Sequence, residues 1–125
     1  MKKLLALTFI GLALSYYLLN YRPDLCFFQF DKLAHIIGGV FAGSFGIYCW
    51  LHFNRLFLGF SDEKTIKIFL IFCALSSAAI VGLLWELYEC YFLSHLNPLW
   101  DTICDLIADV FGGWLSFFYV IRTKH

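Results

Sequence analysis

The sequence predicts an all-α polytopic membrane protein, a bundle of four transmembrane helices with both termini on the cytoplasmic side. Three observations lead there. Hydrophobic residues make up 62% of the 125 positions and charged residues only 14%, too little polar surface for a soluble domain of this size. Four apolar stretches take up most of the chain, near the length needed to cross a hydrocarbon core of ~30 Å. The basic residues are also unevenly divided. With the N-terminus inside, Lys2, Lys3, Arg55, Lys64, Lys67, Arg122 and Lys124 are cytoplasmic, and only Arg22 and Lys32 lie outside. Formal net charge is zero and no basic run is present, which points away from nucleic acid. No repeat or composition break divides the chain, so residues 1–125 read as one membrane domain.

The first helix is expected at about Leu4–Leu19. Its basic start, apolar core and Ala13-Leu14-Ser15 also form a signal-peptide pattern. The continuation through Tyr16 and Tyr17, side chains suited to a membrane interface, favours an uncut helix. Arg22-Pro23-Asp24 breaks the chain after it. The second helix is expected at Lys32–Phe53, with Asp31 a candidate N-cap. The third is expected at Thr65–Leu93, with Ser61 as cap and Asp62 and Glu63 at its positive end. The fourth is expected at Leu99–Ile121, opened by Asn97-Pro98 with Pro in the first turn. Two extracytoplasmic loops follow, at about residues 20–31 and 94–98.

This topology brings a polar set to one end of the bundle. Asp31, Lys32 and His35 open the second helix, Glu86 and Glu89 close the third, and Asp101, Asp105 and Asp109 descend from the start of the fourth. At ~1.5 Å per residue, Asp109 is about 12 Å below Asp101. A carboxylate at the centre of a membrane helix costs roughly 2.5–3.5 kcal/mol on insertion scales, so such groups mark function by default. Small residues share their stripes: Gly39, Gly43 and Gly46 follow His35; Gly82, Ala79 and Ala78 lie with Glu86; and Gly112 or Gly113 and Ser116 follow Asp109. Small residues let membrane helices approach closely, so the acids point into the bundle.

Glu86-x-x-Glu89 and Asp105-x-x-x-Asp109 each place two carboxylates on one helical face. With Asp101 and His35 they form a mixed oxygen and nitrogen donor set suited to Mg²⁺, Mn²⁺ or Zn²⁺. Packed carboxylates require a cation or protonation. Plainer roles stand beside these. Asp101 serves equally as a first-turn acid, Lys32 as a neutralising or snorkelling side chain, and His35 as an interhelical hydrogen-bonding group. Trp85 and Trp100 suit interfacial anchors, and His52, His95 and His125 receive no role. Among the five cysteines, Cys49, Cys73 and Cys104 lie in apolar spans, and Cys26 and Cys90 near one face would pair only if that face is oxidising. No Cys-x-x-Cys occurs, and buried small hydrophobes is the reading for most of them.

The string Asp31-Lys32-x-x-His35, Trp85-Glu86-x-x-Glu89 and Trp100-Asp101-Thr102-x-x-Asp105-x-x-x-Asp109-x-x-Gly112-Gly113 resembles the small bacterial VanZ-like and YjdF-like membrane proteins. The resemblance spans residues 31–113, and Glu86 beside Glu89, with Asp109 rather than Asn, sets it nearer the YjdF-like branch. It implies a cell-envelope role in the bacterial inner membrane, including the glycopeptide (teicoplanin) resistance linked to VanZ.

The leading expectation is an outward-facing, metal-binding site acting on a lipid or lipid-linked phosphate. Glu86, Glu89, Asp101, Asp105 and Asp109 would hold the metal. His35 would be a further ligand or, with Asp31 and Lys32, supply acid/base and phosphate contacts. Proton- or ion-coupled transport and a non-catalytic partner subunit are the alternatives, and the sequence leaves enzyme or non-enzyme and homo-oligomerisation open.

Overall fold

The computed structural model describes residues 1–21, 28–92 and 98–123. It is all-helical, with α1 at Lys2–Tyr21, α2 at Phe28–Phe53, α3 at Glu63–Phe92 and α4 at Leu99–Thr123. A π-helical turn, Asn54–Leu58, extends α2. The breaker at Arg22-Pro23-Asp24, both expected outer loops and the positions of Cys26, Asn97 and His95 lie largely or wholly outside the described residues.

Local chemistry accounts for the ends. Asn54 closes the π turn by donating from Nδ2 to the Phe60 carbonyl (3.1 Å) and accepting the Phe60 N–H at Oδ1 (2.9 Å). Gly59 supplies the left-handed conformation there (φ 66°), which costs a glycine little. The cap of α3 is Asp62 rather than Ser61, because the helix begins at Glu63 and only the preceding side chain reaches the third backbone N–H. Asp62 Oδ2 accepts from Thr65 N at 2.8 Å. Hydrogen bonds from Thr65 hold this exposed carboxyl below the usual carboxylate range. Asp31 is likewise no cap: α2 starts at Phe28, so Asp31 lies within its first turn. Pro98 stands just before α4, its carbonyl accepting from Asp101 N (2.8 Å). In α1, Thr8 and Ser15 return their hydroxyls to carbonyls one turn back, at 2.9 and 2.8 Å, which satisfies them inside an apolar helix.

The helix α2 is central, packed against α4, α3 and α1, while α3 also packs on α4. Contacts of Gly39 with Asp109 and of Gly43 with Ser116 show that α2 and α4 run parallel, and Gly43–Ala74 and Gly82–Asp109 make α3 antiparallel to both. These approaches are close because the stripes carry no side chain. A Cβ on Gly43 would lie 2.8 Å from Gly113 Cα, and one on Gly46 2.8 Å from the Cys73 carbonyl oxygen. The buried stripe of α3 is Leu70, Ala74, Ala78 and Gly82, at strict four-residue spacing, with Ala79 only partly buried beside it. On α4 both Gly112 and Gly113 are buried, as is Ser116.

One end of the bundle is an apolar core of Ile47, Trp50, Leu70, Ala74 and Val120. Elsewhere the helices display large apolar side chains outward, including Phe9, Phe72, Leu84 and Ile107, more than a soluble monomer exposes. Among the described residues, three helices are long and apolar enough to cross a membrane: Asp31–Leu58, Glu63–Phe92 and Leu99–Thr123. The apolar run of α1, Lys3–Tyr17, is shorter. The same outward apolarity corrects the reading of the cysteines as buried: Cys49 and Cys90 are exposed, and Cys73 and Cys104 are half-buried. Where lipid is the solvent, an apolar span does not identify an inward face.

Candidate functional site

At the end opposite that core, three helices deliver their polar residues to one interior. The first turns of α2 carry Asp31, Lys32 and His35; the last turns of α3 carry Glu86 and Glu89; the first turns of α4 carry Asp101, Thr102, Asp105 and Asp109. His35, Asp105 and Asp109 are buried, Asp105 with only 1% of its surface exposed.

Lys32 is the internal cation. Its Nζ donates to Asp101 Oδ1 at 2.8 Å and, in a shorter contact, to Asp105 Oδ1, with Asp31 Oδ2 3.7 Å away. The ammonium therefore faces the bundle's own acids. This is the neutralising role among those the sequence left open.

His35 is held from below. Its Nδ1 lies 3.0 Å from Asp109 Oδ2. Facing an ionised carboxylate, Nδ1 is the donor in this pair, and in the neutral imidazole Nε2 then keeps its lone pair. Nε2 faces Asp105 Oδ1 at 3.8 Å and Glu86 Oε1 at 3.9 Å, beyond hydrogen-bond reach. The Asp109 carboxylate is seated against α3 through Gly82, where a Cβ would stand 2.9 Å from Asp109 Cγ. This glycine is thus part of the site's wall.

Glu86 points inward and Glu89 does not share its environment. Thr102 Oγ1 donates to Glu86 Oε2 (2.9 Å), whereas Glu89 Oε1 accepts from Trp85 Nε1 one turn back on the same helix (2.8 Å). Thr102 had no role in the sequence reading, although it lies three residues before Asp105 on the Asp105–Asp109–Gly112 stripe. Trp85, expected as an interfacial anchor, likewise donates to a carboxylate. One ligand atom each from Asp31, His35 and Asp105 lie within 4.8 Å of one another, so these three can hold a metal ion. Of the expected carboxylate ligands Glu86, Glu89, Asp101, Asp105 and Asp109, that set contains only Asp105, together with the expected nitrogen donor His35. Beside Lys32, an open groove of about 360 Å³ is lined by Cys104, Ile107, Ala108 and Phe111, apolar apart from the lysine.

An all-helical membrane protein with a buried histidine–carboxylate–lysine cluster at one end is what these features define. The chain belongs to a family of predicted membrane proteins (DUF2238), whose model matches residues 3–125, the first helix included. No curated protein and no solved structure matches it.

Proposed function

We propose that this is an inner-membrane protein of the bacterial cell envelope that binds and acts on a lipid or lipid-linked phosphate from the extracytoplasmic side. In this reading all four helices span, both termini are cytoplasmic, and a divalent cation (Mg²⁺, Mn²⁺ or Zn²⁺) serves the acid cluster. The VanZ-like and YjdF-like resemblance belongs to the same proposal. The observation that carries it is the His35–Asp109 pair, an imidazole oriented by a carboxylate inside an apolar bundle, with Nε2 turned toward Asp105 and Glu86 at 3.8 and 3.9 Å. A base built in this way accepts or returns a proton at a defined atom. The open apolar groove lined by Cys104, Ile107, Ala108, Phe111 and Lys32 is consistent with a lipid as the molecule served. A transport path finds less support, because the described interior beyond Asp109 offers Ser44 and Ser116 and then closes on Ile47, Trp50 and Val120.

The test uses the full chain in phosphatidylcholine nanodiscs doped with phosphatidic acid or a polyprenyl phosphate, with Mn²⁺ present. Native mass spectrometry would read the retained lipid, and release of inorganic phosphate would read turnover. Selective retention of phosphate monoester lipids, lost in His35→Gln and Glu86→Gln, is expected. Equal retention in wild type and variants, or no preference over phosphatidylcholine, would rule the reading out.

A further inference from the structure

We infer that a single divalent cation is held by His35 Nε2, Asp105, Asp31 and Glu86 Oε1, with Asp109 orienting the histidine and Lys32 competing for the site. This deepens the proposed reading and rests on the same cluster, but it names a ligand set that the sequence did not single out. The acid cluster alone would carry no such inference. Glu86 supplies the independent observation. Its side chain is only 10% exposed, Oε2 is satisfied by Thr102, and Oε1 is buried with no hydrogen-bond partner among the described residues. An orphaned carboxylate oxygen in a low-dielectric interior is costly, and it is aimed at Nε2.

The geometry is that of donors waiting on a shared ion. Nε2 lies 3.8 Å from Asp105 Oδ1 and 3.9 Å from Glu86 Oε1. Two donors bound to one ion at ~2.0–2.2 Å stand roughly 3.3–3.6 Å apart at tetrahedral angles, so movements of a few tenths of an ångström bring Asp105 and Glu86 each to a ligand spacing from Nε2. Asp31, His35 and Asp105 each place one ligand atom within 4.8 Å of one another, and Glu86, outside that group, completes the set by closing on Nε2. Metal-bound histidines typically give their other N–H to a carboxylate, which fixes the tautomer, and Asp109 occupies that position on Nδ1. One imidazole with three carboxylates suits Mn²⁺ or Zn²⁺ before Mg²⁺.

The ion also resolves a charge conflict. Among the described residues, Asp31, Glu86, Asp101, Asp105 and Asp109 lie against the Lys32 ammonium and the His35 imidazole, a field that repels phosphate. A divalent cation among them gives phosphate oxygens a positive centre. Lys32 holds the same Asp105 oxygen that faces Nε2, so ammonium and ion compete for it.

The test titrates Mn²⁺ alone into the full chain, purified in detergent without chelators. Electron paramagnetic resonance would count bound ion, and its ¹⁴N modulation would report an imidazole ligand. One Mn²⁺ per chain with nitrogen modulation is expected in wild type, with both lost in His35→Gln. Asp109→Asn should keep the nitrogen signal but weaken binding by about 10–100-fold, the usual effect of removing an orienting partner. Lys32→Gln should tighten binding by at least about tenfold, since it removes a charge repelling the ion at close range. Size-exclusion profiles establish which variants are folded, and wild type with Asp109→Asn decides the matter if Lys32→Gln is not. Sub-stoichiometric Mn²⁺, bound Mn²⁺ without nitrogen modulation, or unchanged affinity in Asp109→Asn would each overturn the site. Lipid selection that survives such a failure would leave the phosphate reading standing; Mn²⁺ binding without lipid selection would remove that reading alone.

Discussion

Lys32→Gln is expected to destabilise the cation-free chain by about 3–5 kcal/mol, the range for breaking a buried charge pair by removing one partner. The side chain is 17% exposed and Asp105 only 1%, so water screens the pair poorly. Without the ammonium, Asp101 and Asp105 lose their shared donor, and the nearby Asp31 adds a third negative group. A second change on this background, Asp105→Leu, should recover most of the loss, because it removes the stranded charge rather than stranding another. The pair would be measured as a double-mutant cycle by reversible unfolding in detergent. A loss below about 1 kcal/mol in the single variant would mean that the lysine behaves as an exposed surface charge. Saturating Mn²⁺ should also rescue Lys32→Gln, by about 2.7 kcal/mol at a hundredfold excess over the dissociation constant.

Gly112→Val should cost at least about 3 kcal/mol, the upper end of ordinary overpacking penalties. A Cβ at Gly112 would meet backbone on α2, with Val40 N at 2.7 Å and the Gly39 carbonyl carbon at 2.9 Å. No rotamer change relieves a backbone collision, so α2 and α4 must separate. The 3.0 Å His35–Asp109 contact bridges the same two helices and should be lost with them. Gly38→Ala is the matched control. Its Cβ would rest 3.6 Å from Asp109 Oδ1 and Leu12 Cδ2, ordinary contact distances, so it should be neutral or stabilising by up to about 1 kcal/mol. Unfolding midpoints of the two variants check the contrast, and similar losses would show that the glycine stripes are not what sets the helix spacing.

Much of this was legible in the sequence, and the reason for the rest is physical. Periodicity within one helix placed His35 with Gly39 and Gly43, and Asp105 with Asp109 and Gly112, because a helical face depends only on spacing. Which residues meet across helices depends on register, and single-helix spacing does not contain it. So Lys32 reads from sequence as a neutralising, snorkelling or phosphate-contacting side chain, and the α2–α4 register sets it on Asp101 and Asp105. The same register gives His35 one nitrogen on Asp109 and leaves the other facing Glu86. Glu86 and Glu89 share a spacing but not a partner, since Thr102 reaches only the first. Ser61 reads from sequence as the cap of α3, and the helix start at Glu63 gives that role to Asp62 instead.

The central claim is that the buried cluster works on a ligand and does not merely fix helix register. Complementation tests it most directly: a strain lacking the gene, challenged with envelope stress including a glycopeptide, would carry wild type, Glu86→Gln or Asp109→Asn at matched membrane levels. The account predicts that both variants assemble, with unfolding midpoints near wild type, and fail to restore growth. Full rescue by both would contradict it and leave the cluster as a structural device of the bundle.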